Sequence, residues 1–352
     1  MKYAVLIIST LVLAAGCHTN CKARVRPGEY FGSLIKMNFI SIDDLGKHQS
    51  KNGLPEKNGM VYTSRAGFID IGHLREAADR TKYIAELTFE NLMKGETQFS
   101  FRVMEPSKYF VSIQYPENWD SLQEKEKIAK DISIGIGQYC ARTTTVWHEI
   151  ITWFGYKSSG IFSEFLSSFS WEDPYSDLLG TTLASRTLKD TEHKYDDAMT
   201  TLIHEELQRL GAQSPSITSQ ATEKIRGWWY KGEHYFFVTM NKRNFDIGLD
   251  NGFITPWLVP DICPASEPQL YPVPNLNFLS EYGFSLKLEM ELREHEKDKI
   301  LKTISSDVQS GRIQPDIHFA DIMKHIKNEA IAKCGPEVDV PIREKITVVG
   351  KP

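Results

Sequence analysis

Residues 131–180, DISIGIGQYCARTTTVWHEIITWFGYKSSGIFSEFLSSFSWEDPYSDLLG, limit most strongly what this chain can fold into. In the first half, Ile132, Ile136, Tyr139, Trp147, Ile150, Ile151, Trp153 and Phe154 fall on too many sides for a surface helix. Such a segment is expected to run through a core, from near Ser121 to a cap at Gly155. One strip of it is different. Asp131, Gly135, Gln138, Arg142, Thr145, Glu149 and Thr152 follow one another at steps of four and three, so they share one line of the helix. Ala141 and His148 border that line. Solvent-facing strips are usually rich in Lys and Glu. Gly, Ala, Thr and His instead let another element or a ligand approach.

The N-terminus is the most specific local signal. Lys2 precedes an apolar stretch of twelve residues, Ala4 to Ala15. That is shorter than the roughly 20 apolar residues a spanning helix needs, but it suits a secretory signal. The stretch ends Leu13-Ala14-Ala15-Gly16-Cys17, which resembles the bacterial lipobox. The resemblance implies a signal peptide over 1–16, cleavage before Cys17, and acyl chains such as palmitate on that residue. Several chains give stable membrane anchoring where one would be marginal. By resemblance to lipoproteins of two-membrane bacteria, His18 rather than Asp after the cysteine implies the periplasmic face of the outer membrane.

Residues 17–30 then read as a lipidated tether, and 31–352 as a single α+β body. No later apolar run is long enough to cross a bilayer. Mild acidity, a net charge of -5, and the lack of a Lys/Arg run argue against nucleic acid as a partner. Cys21, Cys140, Cys263 and Cys334 remain after Cys17, and an exported protein can oxidise them. Cys140 lies in the apolar helix and reads as an inert buried thiol. Cys263 and Cys334 lie in Pro- and Gly-flanked segments that allow a bridge between them.

Within the body, a helical part is expected over about 61–212. It opens with a helix from about Asp70 to Lys94, with Leu74, Ala78, Ala85 and Leu92 on one side. Phe99 to Tyr115 reads as one or two strands, Phe162 to Phe169 as a helix, and Asp173-Pro174 as a helix start with Asp173 as cap. The stretch 224–292 alternates β-formers with turn signals and suggests a small antiparallel sheet. Helices are expected between about 294 and 334.

The chemistry-bearing residues form one constellation: His148-Glu149 on the buried helix, with His73 and Glu172-Asp173 on neighbouring segments. A divalent metal such as zinc needs three imidazole or carboxylate ligands and an open position for water, on which a free carboxylate can act as base. His73, His148 and Glu172 are the expected ligands, Glu149 the general base, and Arg142 the anion or oxyanion stabiliser. Asp70, Asp173, Asp177, Arg243 and Asp246 are further polar cleft candidates. HEIIT lacks the second His of HExxH, so such a site must be assembled from separated helices. The residues leave a second reading open. His148-Glu149 then form a polar pair within a core, Asp70 simply caps its helix, and Asp246 closes a turn on its own backbone.

Four segments together resemble a known family: YTSRAGFIDIGHLREAAD (62–79), WHEIITWFGY (147–156), SSFSWEDPYSDLLG (167–180) and RNFDIGLDNGFITPWLVP (243–260). The family is that of bacterial envelope lipoproteins grouped as domain of unknown function 4056. The resemblance implies compartment and a shared body and transfers no catalytic residue. Two functions follow as expectations. One is an outer-membrane-anchored, metal-dependent hydrolase of an envelope substrate; the other is a non-catalytic lipoprotein that binds or braces an envelope component.

Overall fold

The computed structural model describes residues 23–26, 37–51, 55–157, 165–232, 238–263, 266–305, 308 and 311–341. The expected signal peptide, Cys17 and Cys21 lie outside the described residues. The architecture is α+β: helices dominate, with small antiparallel sheets.

A hairpin of β1 (Met60–Thr63) and β2 (Gly67–Asp70) leads directly into α1 (Ile71–Lys94). Asp70 is the N-cap of that helix, and its side chain accepts the Gly72 N–H at 2.6 Å. The next element is β3 (Gln98–Phe101), followed by β4 (Lys108–Gln114) and then α2 (Lys125–Trp153). Gly155 follows α2 with φ +103 and ends it as expected. The start lies later than the sequence suggests, because a separate 3-10 turn takes Trp119–Ser121.

Burial explains the composition of α2. Ile132, Cys140, Trp147, Ile150 and Ile151 are wholly inaccessible. The polar strip divides along its length. Asp131, Gly135 and Gln138 are half-buried, whereas Arg142, Thr145, Glu149 and Thr152 are buried.

α3 (Asp173–Lys189) completes a three-helix arrangement in which α1 packs on both α2 and α3. Glycine sets both approaches. A Cβ at Gly180 would stand 2.0 Å from the Leu74 carbonyl oxygen, and one at Gly137 2.7 Å from the Ala85 Cβ. The mid-helix Gly137 is thus a packing device. α4 (Tyr195–Arg209) and α5 (Pro215–Ile225) cover the outside of α3 and the β1–β2 hairpin.

The rest of the chain corrects two expectations and narrows a third. Phe165–Phe169 is a run of turns rather than helix, and Phe169 itself has φ +53; 158–164 lie outside the described residues. Glu172, not Asp173, occupies the cap position of α3, with Asp173 as its first residue and Pro174 next. Among the described residues, the region 224–292 holds no sheet of its own beyond two-residue pairs. These are β5 (Tyr230–Lys231) with β6 (Thr239–Met240) and β7 (Phe253–Ile254) with β8 (Tyr271–Pro272).

Its one long strand, β9 (Ser285–Glu291), instead pairs antiparallel with β4, from Lys108 opposite Glu291 to Gln114 opposite Ser285. Together with β10 (Arg312–Ile313) this makes a four-stranded sheet of order β10-β9-β4-β3. Tyr109, Val111 and Ile113 alternate into the core from β4 and meet Leu288 and Met290 from β9. α6 (Lys297–Leu301) and α7 (Pro315–Cys334) close that core.

The cysteines are also corrected. Cys263 and Cys334 are free thiols, the first half-buried beside the Trp229–Trp257 cluster and the second exposed at the end of α7. Cys140 is free and buried, as expected, and burial pushes its thiol pKa up.

Candidate metal centre

Two helix N-termini meet beside α2, and each presents a carboxylate. On α1 the Asp70 carboxylate divides its work: Oδ1 caps Gly72, and Oδ2 lies 2.9 Å from His73 Nδ1. The Asp70 backbone N–H donates to Ser176 Oγ of α3 at 3.0 Å, which ties the two helix starts together. On α3 the Asp173 Oδ2 accepts the Ser170 hydroxyl at 2.8 Å, and its Oδ1 lies 3.0 Å from the same His73 nitrogen. Each carboxylate therefore has one oxygen fixed by a neighbour and the other aimed at a shared point. That is how outer partners orient metal ligands.

Asp70, His73 and Asp173 are the one such group among the described residues, with ligand atoms all within 4.8 Å of one another. Neither His73 contact is aligned as a hydrogen bond, and His73 Nδ1 and Asp173 Oδ1 are buried without one. Such close, unaligned polar atoms fit the edges of a coordination shell. Bonds of roughly 2.0–2.1 Å give edges of about 2.9 Å in octahedral geometry. A quarter of the His73 side chain is exposed, although its Nδ1 is buried.

Further carboxylates crowd the same place. Glu172 is 1% exposed, and neither of its oxygens has a hydrogen-bond partner. Burial first and the Asp173 charge second push its pKa well up. Asp177, one turn along α3, is pushed up to about 6 by burial, against the opposing charges of His73 and Arg142. Glu149 of α2 accepts the Phe169 N–H and is pushed up to about 8 by burial and then by Asp173. His73, whose pKa burial would lower but the charges of Asp173 and then Asp70 push well up, and Arg142 are the nearby cations. The Arg142 Nη1 donates to Thr145 at 3.3 Å and lies 3.9 Å from Asp177, while its Nε and Nη2 are buried without partners. Asp70, Glu149, Glu172, Asp173 and Asp177 thus outnumber the positive charge beside them. Buried charge in that proportion calls for protons or a bound cation.

Two expected ligands, His148 and Glu172, do not join the converging group. His148 does not approach His73; its Nδ1 lies 3.0 Å from Glu105 Oε1. It borders the polar strip on the side facing the β3–β4 loop, where buried Glu105 also takes Arg80 at 3.1 Å. Burial would raise the Glu105 pKa, but the Arg80 charge and then His148 outweigh it and hold it at about 2. Glu172 stands beside the triad, and Asp173 supplies the converging oxygen.

Two other candidates serve the fold. Arg243 donates to the Ser168 carbonyl and lies over the rings of Trp153 and Phe165. Asp246 accepts the N–H groups of Gly248 and Thr255, closing the turn that its sequence allows.

Sequence reasoning missed an ionic chain along α1. Arg26 bonds Glu56 at 2.8 Å and Asp79 at 2.8 Å, and His48 meets the other Asp79 oxygen at 3.0 Å. The Arg26 backbone N–H donates to Glu76, which pairs with Arg80 at 2.6 Å, and Arg80 leads to Glu105 and His148. The visible signal is the run Arg75-Glu76, Asp79-Arg80, set among Leu74, Ala77, Ala78, Ile84 and Ala85 of the same helix. Charges on several sides of a buried helix require partners on several sides.

Comparison with known proteins gives a family match. A family described as protein of unknown function (DUF4056) matches residues 34–252, more than half of the chain. No curated protein and no solved structure matches.

Proposed function

The chain belongs to the DUF4056 family, and we propose that it is a divalent-metal-dependent hydrolase, held to the periplasmic face of the outer membrane by a lipid on Cys17. The observation that carries the reading is the convergence of Asp70 Oδ2, His73 Nδ1 and Asp173 Oδ1. Two carboxylates and an imidazole suit zinc or manganese. Bound there, such an ion supplies a water acidified toward neutral pH. The chain's own groups supply the rest. Glu149, through the oxygen that Phe169 does not engage, would be the base for such a water, and a pKa pushed up to about 8 suits that role. Arg142 offers its unpartnered Nε and Nη2 to a developing oxyanion. Peptidoglycan, lipid and peptide are the envelope substrates in reach of such an enzyme.

The test is release of soluble product from a purified envelope fraction by protein lacking residues 1–21. Metal-dependent release that Asp173→Asn and Glu149→Gln both abolish supports the reading. Equal release by the variants removes it.

The ionic chain from Arg26 to His148 favours a second reading, a non-catalytic lipoprotein that binds or braces an envelope component. Under it, Asp173→Asn lowers stability and no product forms from any variant.

A further inference from the structure

The C-terminal turn of α2, with α6 and α7, lines an open surface hollow of about 610 Å³ that none of the triad residues lines. Its volume falls in the range of sites for small organic ligands. Trp153, Phe154 and Phe165 form its apolar wall. Among the described residues the lining holds one carboxylate, Glu329, which is already engaged: it accepts Trp153 Nε1 at 2.8 Å and pairs with Lys333 at 2.7 Å. His325 stacks on Phe154, with centroids 6.0 Å apart and planes 13° from parallel. Lys299 and Lys302 complete the rim, both exposed, and neither pairs with a carboxylate among the described residues. Lys299 lies in α6 and Lys302 is its C-cap residue, still in helical backbone, so the two, three residues apart, fall on the same side.

We propose that this hollow binds an amphiphilic phosphate, an anionic phosphate group carried on an apolar body. The two ammonium groups and the imidazole match several acceptor oxygens on one anion. The aromatic wall matches the body that carries it. Charge alone would have served an inorganic anion without three aromatic side chains. The proposal stands independently of the metal centre.

Calorimetry on protein lacking residues 1–21 tests it with three probes: dihexanoyl phosphatidic acid below its micellar concentration, inorganic phosphate, and dihexanoyl phosphatidylcholine. The phosphatidic acid is expected to bind at least about tenfold more tightly than either other probe. The Lys299→Glu/Lys302→Glu variant, with unchanged circular dichroism, is expected to lose at least about tenfold of that affinity. Equal affinity for inorganic phosphate, equal binding by the variant, or no binding of phosphatidic acid overturns the proposal.

Discussion

His148 Nδ1 lies 3.0 Å from Glu105 Oε1, an oxygen that Arg80 also holds at 3.1 Å. The histidine that the sequence marks most strongly therefore ends the ionic chain of α1 and lies off the triad. His148→Ala should keep the metal content of the wild type and lower stability by about 1–3 kcal/mol, because it strips a partner from a buried carboxylate. His148→Gln, which can still donate to Glu105, should recover part of that loss in urea unfolding. Metal lost from His148→Ala would contradict this assignment.

Acid should act through Glu56. Burial would raise its pKa, but the hydrogen bond and charge of Arg26 outweigh that and hold it at about 2, against an ordinary 4.5. The folded value is the lower one, so the stabilisation is complete above pH 4.5 and is lost as pH falls toward 2. Its upper limit is on the order of 3 kcal/mol. The stability difference between wild type and Glu56→Gln should shrink across that window in urea titrations. A difference that stays constant with pH would show that the pair contributes no such linkage.

Gly180 holds the triad together from a distance. α1 carries Asp70 at its cap and His73, α3 carries Asp173, and Gly180 lets the two helices close. Gly180→Ala should cost about 1–3 kcal/mol or more by overpacking and should also weaken metal binding. Gly95→Ala is the control. It has open space around it and φ +72, so it should cost about 1 kcal/mol through backbone strain and leave the metal untouched. Equal metal affinity in Gly180→Ala and wild type would separate the helix contact from the site.

Thiol titration checks the cysteine assignment. In native protein lacking residues 1–21, Cys263 and Cys334 should react without reductant, and Cys140 only after denaturation. Reaction of the first two only after reduction would restore the disulfide.

What was legible in the sequence follows periodicity. The strip on α2 is readable because large apolar residues surround it, and Arg142 and Glu149 do reach the carboxylate cluster. Asp70 and His73 are readable as a cap and a first-turn residue. Glu105 is not, because a lone acid beside Pro106 in a short loop looks like any solvated carboxylate. The choice of Asp173 over Glu172 turns on which residue takes the cap of α3, a one-residue difference that the Glu-Asp-Pro run leaves undecided. The partner of β9 is also hidden. Alternation identifies Phe284–Leu292 as a strand, but nothing local says that it pairs with β4 rather than with its sequence neighbours.

The most direct test is the metal content of protein lacking residues 1–21 after equilibration with zinc or manganese and removal of free ion, measured by plasma mass spectrometry. A single divalent ion per chain is expected in wild type and His148→Ala. None is expected in His73→Ala or Asp173→Asn, provided both retain their helical circular dichroism. Wild type that holds no metal, or Asp173→Asn that holds as much as wild type, would contradict the metal centre.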